Sequence, residues 1–247
     1  MKNTIRISRV IILIILIQSC TKDDDNIIKD ADGNVYTSVT IGTQVWMKEN
    51  LKTTKYNDGT AIPNITDSTE WAALTTGAYC DYSNTLSNST TYGRLYNWFA
   101  VDNNATTKVA SNGGKNVCPT GWHVPSDAEW TTLTDYLTNN CYGYGGSGDD
   151  IAKSMAATSG WTTYGTLGTV GNDQASNNSS GFTALPSGYR DYDGTYFGVG
   201  EYSGWWSSSE ASSYNTAFNQ NEHYVTSIVF NNFGHKTYGA SVRCLRD

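Results

Sequence analysis

The chain has 247 residues, with 16 Lys or Arg against 23 Asp or Glu and a net charge of −7. Such a surface repels phosphate backbones and anionic headgroups, which excludes nucleic acid as a partner. Only 16% of the residues are charged, while 8 Trp, 17 Tyr and 6 Phe accompany 24 Gly; this composition excludes long amphipathic helices and suits short strands and ordered loops with cores built from rings.

Residues 1–10 carry Lys2, Arg6 and Arg9 and no acid, and 10–17 is an unbroken apolar run. That run is too short to cross about 30 Å of hydrocarbon, so residues 1–19 are expected to be a secretion signal. It ends in Ile17-Gln18-Ser19-Cys20, which resembles the bacterial lipobox, in which aliphatic and small residues precede a cysteine that takes a diacylglycerol thioether. Gln18 departs mildly from that pattern. Cys20 is thus the expected lipidation site, and the membrane is the expected partner through the N-terminal lipid. Thr21-Lys22-Asp23-Asp24-Asp25 reads as a solvated linker. It also resembles the acidic export signal of some Gram-negative surface lipoproteins, and the expected location is the outer membrane, exposed at the cell surface. Losing residues 1–19 removes three positive charges and no negative one, leaving a net charge of −10.

Residues 20–31 are read as the lipidated acidic tether and 32–247 as one domain. Asp32-Gly33-Asn34 is a turn signal, and 35–41 alternates with period two. Gly42-Thr43 then turns the chain into Gln44-Val45-Trp46-Met47, which predicts a hairpin. Asp67-Ser68-Thr69-Glu70 has the spacing of a capping box and predicts a short helix through Leu74. Tyr92, Leu95, Tyr96 and Phe99 fall at i, i+3, i+4 and i+7, which predicts a helical face over 92–101. A polar surface loop is expected over 102–116. Ser126 and Glu129 then form a second capping box, with Trp130, Leu133, Tyr136 and Leu137 as the buried stripe and Asn139-Asn140 as the stop. A short helix over 149–157 and a long ordered loop over 158–180 follow. Strands are expected at 182–186, 204–208, 224–231 and 240–245.

Besides Cys20 the chain holds Cys80, Cys118, Cys141 and Cys244. An exported chain meets an oxidising compartment, and four cysteines allow three full pairings among which spacing does not choose. No Cys-x-x-Cys pair supports a structural zinc or a redox dithiol.

Several blocks carry a resemblance. Trp46-Met47-Lys48-Glu49-Asn50-Leu51 and Tyr92-Gly93-Arg94-Leu95-Tyr96-Asn97-Trp98 are two of them. Cys118-Pro119-Thr120-Gly121-Trp122-His123-Val124-Pro125-Ser126-Asp127-Ala128-Glu129-Trp130 is the most distinctive. Gly188-Tyr189-Arg190-Asp191, Trp205-Trp206-Ser207-Ser208-Ser209-Glu210 and Ser241-Val242-Arg243-Cys244-Leu245-Arg246-Asp247 complete the set. In this order they resemble the Fibrobacter succinogenes major paralogous domain, from about Asp30 to the C-terminus. That family is exported, often lipidated, and has no established activity. More distantly, the helix start at Pro125, the Trp-Ser-Ser strand and the final Val-Arg-Cys strand resemble landmarks of C-type-lectin-like folds and of the sulfatase-modifying enzymes. The resemblance implies an α+β, C-type-lectin-like compact domain of short antiparallel strands, two or three short helices and long ordered loops. It also implies the disulfide Cys118–Cys244.

No catalytic motif is present, and neither a cofactor nor a metal site is expected. The reactive cysteine pair of formylglycine chemistry is missing, as are the Glu-Pro-Asn and Trp-Asn-Asp loops of calcium-dependent lectins. His123 is expected in a structural hydrogen bond, and His223 and His235, which flank a strand, are the other metal candidates. The acidic segments 148–150 and 189–194 read as solvated turns, with a hard cation as the other reading. Glu201 and Glu210 are the carboxylate pair to test for glycoside hydrolysis. Seven rings crowd into 189–206 among Gly, Asp and Ser, and rings flanked by short polar groups suit sugar faces. Tyr192, Tyr196 and Tyr202 are the surface candidates. Trp205 and Trp206 stand with them as binding candidates, although a core role is the preferred reading for those two. The expected function is a non-catalytic binding domain for glycan or protein. The alternatives are a structural or adhesion component and a polysaccharide-acting enzyme.

Overall fold

The computed structural model describes residues 27–102, 113–211 and 215–247. The expected signal at 1–19, Cys20 and the acids that follow it lie outside the described residues, as does most of the expected 102–116 loop.

Ile28–Lys29 (β1) pairs antiparallel with Val35–Tyr36 (β2). The turn between them closes on the Asp30 carboxylate, which accepts from the Asp32 and Asn34 N–H groups at 3.0 and 2.9 Å and from the Tyr36 hydroxyl at 2.6 Å. A short acid that caps its own turn in this way organises the backbone locally. Residues 28–31 are therefore folded, which corrects their assignment to the tether. Ser38–Ile41 (β3) and Gln44–Met47 (β4) form the expected hairpin, with Gly42 at φ +61°. A side chain at Gly42 would also meet the Tyr136 ring at 2.7 Å.

Ser68–Ala72 (α1) starts as expected, with the Asp67 carboxylate accepting from the Glu70 N–H at 2.8 Å. The helix expected over 92–101 does not form. Tyr79–Cys80 (β5) pairs with Leu95–Tyr96 (β6), flanked by Leu86–Tyr92 (α2) and Trp98–Val101 (α3). Gly93, at φ +83°, ends α2 and brings the backbone against Asn50, whose Cβ would lie 2.6 Å from an added side chain. The helical spacing of apolar residues is thus split between a helix end, a strand and a new helix capped by Asn97.

Trp122–His123 (β7) leads into Asp127–Asn139 (α4), where the capping box is complete. The Ser126 hydroxyl accepts from the Glu129 N–H, and the Ser126 N–H donates to the Glu129 carboxylate at 2.7 Å. Its buried stripe is Trp130, Leu133 and Leu137, each contributing about 1.5–3 kcal/mol by burial. Ala152–Met155 (α5) is shorter than the expected 149–157, and the 158–180 loop carries one 3₁₀ turn, Gln174–Ser176.

The remaining strands are Ser187–Arg190 (β8), Tyr196–Val199 (β9), Tyr202–Glu210 (β10), Thr216–His223 (β11), Phe230–His235 (β12) and Leu245–Arg246 (β13). The strand expected over 224–231 is instead mostly the turn joining β11 to β12, closed by the Thr226 N–H on the His223 carbonyl at 2.9 Å. Its apolar members Tyr224 and Val229 pack against the core from that turn. The 182–186 segment holds only a bridge between Ala184 and Ala156.

The fold is α+β, with several short antiparallel sheets and few helices. Its main sheets run β3-β4-β13-β7 and β10-β11-β12. One buried cluster centres on Trp46, Trp130, Phe182 and Trp205, and another on Met47, Leu51, Tyr96 and Trp206. Two of the buried indoles find polar partners, Trp206 donating to the Tyr96 carbonyl and Trp205 to the Asn50 side chain, both at 2.8 Å, while the Trp130 and Trp161 N–H groups are buried without one. Cys118 and Cys244 form the implied disulfide, with their Cα atoms 6.0 Å apart, while Cys80 and Cys141 are free.

His123 joins β7, α4 and the chain's end, as the structural reading expected. Its Nε2 lies 2.9 Å from Glu129 and its Nδ1 2.7 Å from Asp247. The Glu129 bond raises the His123 pKa above its ordinary 6.5, and the His123 bond pulls the Glu129 carboxyl from 4.5 down to about 2. Glu129 therefore contributes stability that is present above pH 4.5 and lost as the pH falls toward 2. His123 contributes stability that is present below pH 6.5 and lost as the pH rises through its raised value. The stability difference between wild type and His123→Asn should peak between those two ordinary values and shrink on either side. Urea titrations across pH measure it, and a pH-independent difference would contradict the pairing.

Candidate functional site

The β8–β9 hairpin, the paired strands β10 and β11, and the segment 238–240 line an open cavity of about 420 Å³, within the range of small-molecule sites. Side chains alternate along β10, so Tyr202 and Gly204 face this cavity while Ser203 and Trp205 face the core. Glycines set the rings. The Tyr202 ring lies back over Gly204, where an added Cβ would meet it at 2.8 Å, and the Tyr238 ring lies over Gly234, where one would meet it at 2.7 Å.

Tyr189, Phe197, Tyr202 and Tyr238 form the aromatic walls. Tyr189 is the hub, with its centroid 5.0 Å from Tyr202 in edge contact, 5.8 Å from Phe197 and 6.1 Å from Tyr238. Burial holds the phenols of Tyr189, Tyr202 and Tyr238 above their ordinary value, so they stay protonated donors at neutral pH.

The polar groups of the lining are Glu201, His223 and Asn219. Glu201 sits in the β9–β10 turn, its N–H on the Gly198 carbonyl and its own carbonyl accepting from Tyr224, both at 2.9 Å. His223 lies opposite Tyr202 in the β10–β11 register. Burial pulls its pKa below the ordinary value, against the opposing charge of Glu201, so the imidazole is neutral at pH 7 and both donates and accepts. On the other face of β11, Glu222 is fully buried and its carboxyl is pushed well above the ordinary range by that burial. Two other clefts, of about 330 and 410 Å³, flank Ile27 and Ile28 and have one aromatic ring each in their linings, Trp122 and Tyr36.

The structure divides the sequence candidates. Tyr202 lines the cavity. Tyr192 is 54% exposed and lies outside the lining, but its ring stacks on Tyr238 at 6.1 Å. Tyr196 turns to the other face of β9, where its hydroxyl donates to Asn84 at 2.8 Å and the Arg190 guanidinium covers its ring, so it is a structural ring and not a binding one. Trp205 and Trp206 are 0% exposed, which removes both as binding candidates and bears out the preferred core reading. Phe197, beside Tyr196, is the ring that β9 presents outward, 47% exposed. Tyr238 and His223 were missed as partners of this site.

Two other candidate pairings do not meet. Glu201 and Glu210 stand at opposite ends of an extended segment, more than about 20 Å apart by strand rise, against about 5–9.5 Å for a hydrolytic pair; Glu210 instead pairs with Lys236. His235 is opposite Thr216, seven residues along β11 from His223, or about 23 Å. Among the described residues, no group of three His, Cys, Asp or Glu side chains is placed to hold a metal ion, and no helix is long and apolar enough to cross a membrane.

Neither the comparison with curated proteins nor that with solved structures finds a match. A family profile, that of the Fibrobacter succinogenes major domain, matches residues 39–246. That range spans every strand from β4 to β13 and the whole of the candidate site. On this match the chain belongs to the Fibrobacter succinogenes major domain family.

Proposed function

We propose that this chain is a surface lipoprotein whose domain binds glycan without turning it over. The observation that carries this reading is the cavity walled by Tyr189, Phe197, Tyr202 and Tyr238 with Glu201, His223 and Asn219 among them. Rings offer flat apolar faces to the C–H groups of a sugar, and a carboxylate, an imidazole and an amide answer its hydroxyls. The fold is read as C-type-lectin-like, supported by the Cys118–Cys244 bridge to the last strand and by the capped start of α4.

The anchor and the site are tested separately. Metabolic labelling with an alkyne fatty acid should tag the full chain and fail on Cys20→Ser; equal labelling of both would overturn lipidation at Cys20. The full chain, probed on a printed oligosaccharide panel, should bind, and Tyr189→Ala combined with Tyr238→Ala should abolish binding while keeping a cooperative melt. Binding untouched by that pair would remove the cavity as the site.

A further inference from the structure

The cavity does not end at Tyr238. Tyr192 stacks on Tyr238 with rings 16° from parallel and centroids 6.1 Å apart, and His235 follows Tyr192 at 5.9 Å. With the contacts inside the cavity, Phe197, Tyr189, Tyr238, Tyr192 and His235 form a continuous ladder in ring steps of 5.8–6.1 Å. None of the five is buried, and Phe197 and Tyr192 are about half exposed. The other three steps are tilted by 32°, 41° and 50°, so the rings present separate faces to successive units of a chain rather than one flat wall. Apolar rings held in a row at a surface serve poorly as core, because their outer faces remain in water.

The charges beside this ladder share one sign. Glu201 lies in the cavity, and Asp191 stands against Tyr238 and His235. Asp193 follows in the same turn, its carboxylate tied to Thr195 at 2.6 Å. The cavity lining holds no Lys or Arg, and burial lowers the pKa of both His223 and His235, which leaves them neutral at pH 7. A ligand bearing carboxylates or sulfates would meet like charge along its whole length, which costs affinity and association rate.

We propose that Tyr192 and His235 form an extended subsite beyond the cavity and that the ligand is the interior of a neutral glycan chain rather than a single terminal sugar. This rests on the glycan reading of the cavity. The ladder fixes the ligand's form and the acids fix its charge class.

The test uses the full chain and calorimetric titration with di- to hexasaccharides of neutral β-1,4-glucan, β-1,4-mannan, β-1,4-xylan and α-1,4-glucan, beside uronic-acid and sulfated oligosaccharides. For at least one neutral series the affinity should rise about tenfold with length, and Tyr192→Ala should remove that rise while disaccharide affinity changes less than twofold. A disaccharide that binds as tightly as its hexasaccharide overturns the extended subsite and leaves the cavity reading standing. Preference for uronic or sulfated chains overturns the charge argument. Absence of binding by every sugar overturns the cavity reading and this inference with it.

Discussion

Replacing Cys118 and Cys244 together by Ala should lower the stability of the domain by about 5 kcal/mol in the chain-entropy view, because the bridge closes a loop spanning 126 positions. Both sulfurs are fully buried beside Val117, Val124 and Val242, so the double Ala variant removes a cross-link without exposing a new polar group. The bridge ties the segment before β7 to the segment entering β13, and β13 in turn sits between β4 and β7 in the four-stranded sheet. With only two residues in β13 and two in β7, hydrogen bonding alone holds that junction weakly. Denaturant unfolding at neutral pH gives the value. A loss below about 1 kcal/mol would mean that the unfolded chain is already compact enough for the cross-link to add little.

Trp205→Ala should cost about 3–5 kcal/mol, the range for removing a large aromatic side chain from a packed core. The ring lies 5.4 Å from Phe182 and 6.0 Å from Trp130, with the Arg243 guanidinium 5.5 Å above it. Its N–H donates to the Asn50 oxygen that also accepts from Arg243 at 2.6 Å. Truncation would leave a cavity beside a buried cation whose proton burial already disfavours, with a pKa pulled down to about 9. Tyr192→Ala, at a ring 54% exposed, should change stability by no more than about 0.5 kcal/mol. Thermal melts of the two variants decide whether the 189–206 ring cluster divides into core and surface as described. Equal losses would contradict that division.

What could be read from sequence was local. The N-cap at Asp67, the capping box at Ser126 and the Gly42 hairpin depend on residues within four positions of one another and formed, although at Asp67 only the bond from the Glu70 N–H to the Asp67 carboxylate is made and not the reciprocal one. The Cys118–Cys244 pairing came only through family resemblance, since spacing left three pairings open. Where local pattern failed, a distant contact decided. The apolar spacing over 92–101 was split because Gly93 must lie against Asn50, forty-three positions earlier. The apolar residues at 224 and 229 pack, partly buried, against the core from a turn rather than from a strand.

The site was legible only in part for the same reason. Composition drew attention to the ring-rich 189–206 segment, but the choice between Tyr196 and Phe197 is a matter of strand register, where a one-residue shift exchanges the two faces. Tyr238 and His223 reach the cavity through the β10–β11 pairing and the return of the chain after β12. Neither lies in the aromatic-rich stretch, so no window on the sequence contains the whole site.

The most direct test of the glycan-binding claim is a crystal structure of the full chain with a neutral oligosaccharide selected from the binding panel. A sugar ring packed against Tyr189 and Tyr238, with hydroxyls on Glu201 or His223, is the predicted result. Sugar density elsewhere, such as beside the clefts at Ile28, with the aromatic cavity empty, would contradict it.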